Sequence, residues 1–133
     1  YLKFDFTNKA SVIPSKKILI PNDFKIREAK TFTGNTIQDY IYFAIGSKIY
    51  VYDCILNQER VIYDFGAGKV VDNIRWHDAV LSTKIMHVCT STPGSTGRTG
   101  SIYEMNVSND GTLSIKSSYE NVCGKVVSTH WKN

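Results

Sequence analysis

Ile, Val, Tyr, Phe and Thr gather along this chain in short runs bounded by Gly, Asn, Asp and Pro. The three-and-four spacing of an amphipathic helix is nearly absent, so the pattern reads as strands and turns. It predicts strands at about 2–7, 16–20, 24–32, 39–46, 48–55, 58–64, 70–77, 84–91, 101–108, 112–120 and 125–131, and no helix. Several of these are apolar at consecutive positions, as in Tyr40-Ile41-Tyr42-Phe43-Ala44-Ile45 and Ile49-Tyr50-Val51-Tyr52. A sheet with one wet face alternates polar and apolar residues. Continuous apolar runs therefore predict sheets covered on both faces.

The runs repeat. Phe32 lies nine positions before Ile41 and Trp76 nine before Ile85, an offset of 44 for both pairs. Ile49-Tyr50 matches Ile102-Tyr103 at 53, and Tyr63 matches Tyr119 at 56. Gly68-Lys69-Val70-Val71 returns as Gly124-Lys125-Val126-Val127, again at 56. Such drift is what loop insertions produce when strand spacing is held, and the nine residues 92–100 account for most of it. Each unit reads as four strands, a to d. The chain then divides into 1–20, the end of a preceding unit; 24–65 and 70–122, two full units; and 125–133, the start of another or a closing strand.

Units of this length with four short antiparallel strands are what a β-propeller blade needs, because neighbouring blades cover each other's faces. The expected fold is all-β, a partial propeller, with a β-sandwich as the alternative that also buries inner faces. Two blades leave broad apolar faces, so other blades or further copies of the chain are expected to close the ring.

Composition narrows the function. At 133 residues, 42% hydrophobic and 12% aromatic, the chain can bury a core of its own. No apolar run approaches the roughly 20 residues of a membrane span. The chain opens at Tyr1 without Met or a basic-then-apolar leader, which reads as an end set by processing, proteolysis or a chosen boundary. The net charge of +4 is scattered, with Lys16-Lys17 the densest run, so no nucleic-acid stripe is expected. Cys54, Cys89 and Cys123 are odd in number and widely spaced; they read as buried thiols, not a disulfide framework or zinc site.

Two segments look like a known family. Tyr42-Phe43-Ala44-Ile45-Gly46-Ser47-Lys48-Ile49-Tyr50-Val51-Tyr52-Asp53 is followed by Glu59-Arg60-Val61-Ile62-Tyr63-Asp64-Phe65, and the chain later carries Tyr119-Glu120-Asn121-Val122-Cys123-Gly124-Lys125-Val126-Val127. Together they resemble the C-terminal propeller-like region of the PKD-like lipoproteins of Bacteroidetes, over residues 40–131. The resemblance implies a cell-envelope lipoprotein, outer-membrane or periplasmic, linked to glycan uptake. It brings no catalytic residues, and its lipid-bearing cysteine would lie outside this chain.

Motifs with chemical meaning elsewhere lack their context. Asp64-Phe65-Gly66 spells the kinase magnesium motif without the other kinase elements. Gly66-Ala67-Gly68-Lys69 runs into Val70 and a strand, where a phosphate loop needs Ser or Thr and a helix. Ser108-Asn109-Asp110-Gly111-Thr112 resembles the Asp box of sialidase propellers but lacks a residue between Asp and Gly, and reads as a hairpin turn. His77, His87 and His130 are not at metal-ligand spacing. His77 and His130 flank Trp76 and Trp131 at matching strand ends, which reads as structural, and no GxSxG elbow supports a serine hydrolase.

One surface retains promise. In propellers the d-to-a and b-to-c connections emerge on one face, here 66–69, 123–125 and the long polar loop 92–100. Arg98, Lys69 and Lys125 would give it a basic rim suited to an anionic or hydroxyl-rich ligand. The expected function is a non-enzymatic propeller module for binding or scaffolding, with a glycan or protein partner and no metal or cofactor. The alternative is a fragment of a propeller glycosidase or lyase whose acids lie outside this chain, and a third reading is purely structural. Arg98→Glu, at an exposed position, is expected to leave stability within about 0.5 kcal/mol.

Overall fold

The computed structural model describes residues 2–4, 14–17, 20–35, 39–76, 84–126 and 129. It is all-β, with two antiparallel four-stranded sheets and almost no helix. The first sheet is β3 (Thr31–Asn35), β4 (Tyr40–Ile45), β5 (Lys48–Asp53) and β6 (Gln58–Asp64). The second is β7 (Val70–Trp76), β8 (Ile85–Gly94), β9 (Gly97–Val107) and β10 (Leu113–Cys123). Both are meanders, each strand pairing with the next along the chain. A separate hairpin pairs β1 (Leu2–Phe4) with β2 (Pro14–Lys17).

Turn chemistry sets the meanders. Gly46 takes φ 59° at the first of two residues between β4 and β5, the position that short hairpins reserve for glycine. Between β5 and β6, Asp53 accepts from the amides of Ile55 and Leu56 at 2.8 and 3.0 Å, closing the chain on itself. The 108–112 turn is organised by Asp110, whose carboxylate accepts from the Ser108 hydroxyl and from the amide and hydroxyl of Thr112. Those bonds favour its ionised form and hold its pKa down to about 2.

The two sheets meet through one apolar layer. Tyr42, Ala44, Ile49, Val51 and Ile62 of the first pack against Ile74, Trp76, Met86, Val88, Tyr103 and Met105 of the second. Trp76 lies flat on Tyr42, with centroids 5.9 Å apart and planes 8° apart. Phe65 continues the layer, 4.8 Å from Tyr63 and 4.7 Å from Tyr103. The backbone locks in as well: the Ile74 amide donates to Thr31 Oγ1 and the Trp76 amide to Thr33 Oγ1, both at 3.1 Å and both across 43 residues. Two contacts at one constant offset mean that β7 runs parallel to β3.

The two middle strands of the first sheet are buried on both faces. Its far side carries Ile41, Phe43, Tyr50, Tyr52 and Cys54, packed by Ile20, Phe24, Ile26 and Ala29. Here the structure departs from the predicted strand 24–32: residues Lys25–Glu28 form a 3-10 helix, and the strand begins at Thr31. The helix is held from a distance. Glu59 on β6 accepts from the amides of Lys25 and Ile26 at 2.8 and 3.3 Å, satisfying helix-start donors with a negative charge.

The second sheet differs from the expectation of apolar cover on both sides. Along β9, Ser101, Tyr103, Met105 and Val107 are buried, while Ile102 and Glu104 between them are half-buried and Asn106 is exposed. Its outer face carries Arg75, His87 and Glu104 in one cross-strand row. The predicted loop 92–100 is mostly strand: Thr92 pairs with Thr99, Pro93 with Arg98 and Gly94 with Gly97, so β8 and β9 project beyond the sheet as one hairpin. Of the three thiols, Cys54 and Cys89 are buried but Cys123 is exposed, against the expectation of three buried thiols.

The repeat is visible in the pairing, with one correction. Phe32 faces Phe43 across the β3–β4 ladder, and Trp76 faces Met86 across β7–β8. The counterpart of Met86 is thus Phe43, and the match of Ile41 to Ile85 is out by one residue, which reverses its face. The expected strand 125–131 is not a strand at Lys125, Val126 or Thr129; its other residues, with His77, His130 and Trp131, lie outside the described residues, as do parts of the expected strands 2–7 and 16–20.

Candidate functional site

At the end of the second sheet where the β8–β9 hairpin projects, a residue of that hairpin and one just past β10 reach a buried acid on β7. Asp72 is the extra residue of a bulge in β7, where Val71 faces Thr90 and Asn73 faces Cys89. Bulges re-aim side chains. Asp72 is turned inward, and its side chain is 3% exposed. Arg98 Nη1 lies 3.7 Å from Asp72 Oδ1 and Lys125 Nζ 3.5 Å from the same oxygen. These are ion pairs longer than direct hydrogen bonds. Arg98 is aimed by a 2.9 Å bond from Nη1 to Ser91 Oγ. Asp72 Oδ2 is buried, and among the described residues it has no hydrogen-bond partner.

Two sulfurs border the cluster. Burial, and then the charge of Asp72, push the Cys89 thiol up to about 11, so at neutral pH it is a protonated core group and no nucleophile. Cys123 lies opposite Gly100, its Sγ 3.9 Å from the Gly100 carbonyl. A Cβ on Gly100 would come 1.9 Å from the Gly124 carbonyl oxygen, so only glycine admits the segment that carries Lys125 past the hairpin.

The structure brings together two of the three residues of the expected basic rim. Arg98 and Lys125 share Asp72, while Lys69 is engaged separately. Lys69 donates to the Tyr103 hydroxyl, sits 5.1 Å above that ring and lies 3.7 Å from Glu120. The bond to Tyr103 holds its pKa above the ordinary lysine value, with Glu120 adding to the effect. Tyr103 in turn donates to Glu120 at 3.0 Å. This second cluster closes the β6–β7 connection over the core.

Asp72 was not singled out in the sequence, although a signal was present. An acid directly follows Val70-Val71 at the start of a strand that also carries Ile74 and Trp76, and buried carboxylates need partners. With those partners identified, the consequence of changing Arg98 also changes. Arg98→Glu would set a carboxylate against a buried one, and a loss of roughly 1–2 kcal/mol is expected once the half-exposure of Arg98 is discounted. Urea denaturation checks this; a change below about 0.5 kcal/mol would mean that the pair contributes nothing.

His87 is half-buried on β8, with Nδ1 3.3 Å from Thr129 Oγ1, and Arg75 Nη1 donates to the Thr129 carbonyl at 3.0 Å. Among the described residues no three His, Cys, Asp or Glu side chains are grouped to hold a metal ion. No helix of the described residues is long and apolar enough to cross a membrane. No family model, curated protein or solved structure matches the chain.

Proposed function

We propose that the two sheets are consecutive blades of a β-propeller serving as a non-enzymatic module for binding or scaffolding. The observation that carries this reading is the parallel run of β7 along β3. Two meanders related by a two-fold axis across the strands, as in many sandwiches, would set their first strands antiparallel. Here first strand lies on first strand, and Arg60 of β6 donates to the Asp110 carbonyl in the turn before β10, near the other edge. The second sheet is thus a rotated copy of the first, the relation between blades. Thr129 adds support: it meets Arg75 on the outer side of β7, much as Ile74 meets Thr31 on the matching side of β3.

In this reading the hairpin end, with Arg98 and Lys125 around Asp72, is the binding face. Two cations against one carboxylate leave one positive charge in excess there, which suits an acidic glycan or an acidic protein segment. The resemblance to envelope lipoproteins adds a location at the cell envelope and a glycan-uptake setting.

The test is titration with uronic-acid oligosaccharides, with reducing ends assayed in the same mixtures. Binding is expected without cleavage. Arg98→Gln keeps a donor for Ser91 but removes the charge, and should weaken binding about tenfold, the size of a lost charge-assisted contact. Bond cleavage would favour the glycosidase or lyase alternative, and unchanged affinity in Arg98→Gln would move the binding face elsewhere.

A further inference from the structure

The end of β9 and the first residue of the turn after it carry a motif that neither cluster uses. Glu104-Met105-Asn106-Val107-Ser108 contains the one Asn-x-Ser/Thr triplet of the sequence, with a residue other than Pro in the middle. That triplet is the acceptor signal for N-linked glycosylation: the transferring enzyme holds the Ser or Thr hydroxyl while the Asn amide reacts. Oligosaccharyltransferases of the stricter bacterial kind also read an acid two positions before the Asn, and Glu104 stands there. The triplet by itself is common in any chain, and the acid narrows it. Asn121-Val122-Cys123 is a poorer match, with a thiol where the hydroxyl is read and Tyr119 where the acid is read.

The fold separates what the core needs from what a glycan needs. Met105 and Val107 point into the layer between the sheets and are 0% and 3% exposed. Asn106 alternates with them, so it stands on the outer face of the second sheet, and it is exposed, as is Ser108. A bulky polar sugar on Asn106 therefore points into water. It also stands far from the proposed binding face. Arg98 lies eight residues back along β9, roughly 26 Å at the rise of a strand.

The groups that such an enzyme reads acquire native partners once the sheet forms. Asn106 is laddered to Ile85 on one side and Ser114 on the other. The Val107 amide donates to the Lys84 carbonyl at 2.7 Å. The Ser108 hydroxyl is engaged by the Asp110 carboxylate and, at 3.0 Å, by the Thr112 carbonyl. Glu104 accepts from Lys116 Nζ at 3.0 Å and from Ser117 Oγ at 2.9 Å. Modification must therefore come before β9 pairs.

We infer that Asn106 accepts an oligosaccharide from a lipid-pyrophosphate donor while the chain is still unfolded. In that step the amide nitrogen bonds to C1 of the first sugar, and the bond from C1 to the pyrophosphate oxygen breaks. The lipid pyrophosphate leaves, and one amide proton passes to the enzyme. The inference rests on the cell-envelope location in the proposed function, since this transfer acts on exported chains.

The test is the full chain placed behind an export signal, in a bacterial host that supplies an acid-reading oligosaccharyltransferase and its undecaprenyl-pyrophosphate oligosaccharide. Because the added signal provides the location, failure here would sink the site and say nothing against the location. Intact mass and peptide mapping should show one glycan, on the peptide that carries Asn106. Asn106→Gln and Ser108→Ala should lose it. Glu104→Gln should cut occupancy about tenfold, the size of one lost charge-assisted contact. The purified folded chain, given the same enzyme and donor, should stay unmodified. An exported chain without glycan, or a glycan that persists in Asn106→Gln, would overturn the inference. Unchanged occupancy in Glu104→Gln would overturn the role of the acid, and ready modification of the folded chain would overturn the order of events.

Discussion

Trp76→Ala should lower the free energy of unfolding by about 3–5 kcal/mol, the range for removing a large buried aromatic. Trp76 is 6% exposed and forms the flat stack on Tyr42 at the centre of the layer between the sheets. Deleting its ring removes transfer free energy and leaves a cavity against Tyr42 and Met86, whose strands are held by their ladders and cannot close over it. The natural comparison is Phe32→Ala at the equivalent place on the open face. In dilute solution that change should cost under about 1 kcal/mol, because a ring already in water loses little on removal. Urea denaturation of both variants gives the contrast directly. Equal losses would show that the sheets do not meet through Trp76, and with that the shared core would fail.

Gly100→Ala is expected to cost about 1–3 kcal/mol by overpacking. The added methyl would stand 1.9 Å from the Gly124 carbonyl oxygen and 3.2 Å from Cys123 Sγ. The oxygen is backbone and cannot rotate aside, so the chain beyond β10 must move. That segment carries Lys125 to Asp72, so the ion pair should lengthen together with the loss of stability. A second readout follows. Cys123 is exposed, and its reaction with a thiol reagent should speed up in the variant as its cover against Gly100 loosens. Gly34→Ala serves as the control, since a Cβ there meets nothing within 4 Å and should change stability by less than about 0.5 kcal/mol. A Gly100→Ala protein as stable as the Gly34→Ala control would show that this close approach is absent in solution.

The strand pattern was legible because period-two burial and turn chemistry are local. Tyr40–Ile45 and Lys48–Asp53 show almost unbroken burial, as the apolar runs required, and glycines stand in the expected turns at 66–68 and 111 with positive φ. The errors have one physical character. Residues 25–28 look compatible with a strand, yet they wind into a helix because Glu59, more than thirty residues away, meets their amides. The polar stretch 92–100 has no apolar pattern to reveal a strand, but the ladder carried up from β8 and β9 continues through it regardless of side chains. Arg98, Lys69 and Lys125 were recognisable as cations near one end of the units. Their division between Asp72 and Glu120 was not, because the bulge that turns Asp72 inward exists only once β7 pairs with β8.

The amino-acid sequence by itself determined that this chain is all-β, that its strands fall into two four-stranded units, and where most of the turns lie. Those properties follow from steric preferences and side-chain alternation within a few residues. Only the tertiary structure decided which faces meet, that β7 runs parallel to β3, and that a carboxylate at position 72 draws two distant cations to itself. Those outcomes depend on pairs more than twenty residues apart in the chain. Sheet docking and ion pairing are energies of juxtaposition, and juxtaposition is not a local property of any segment.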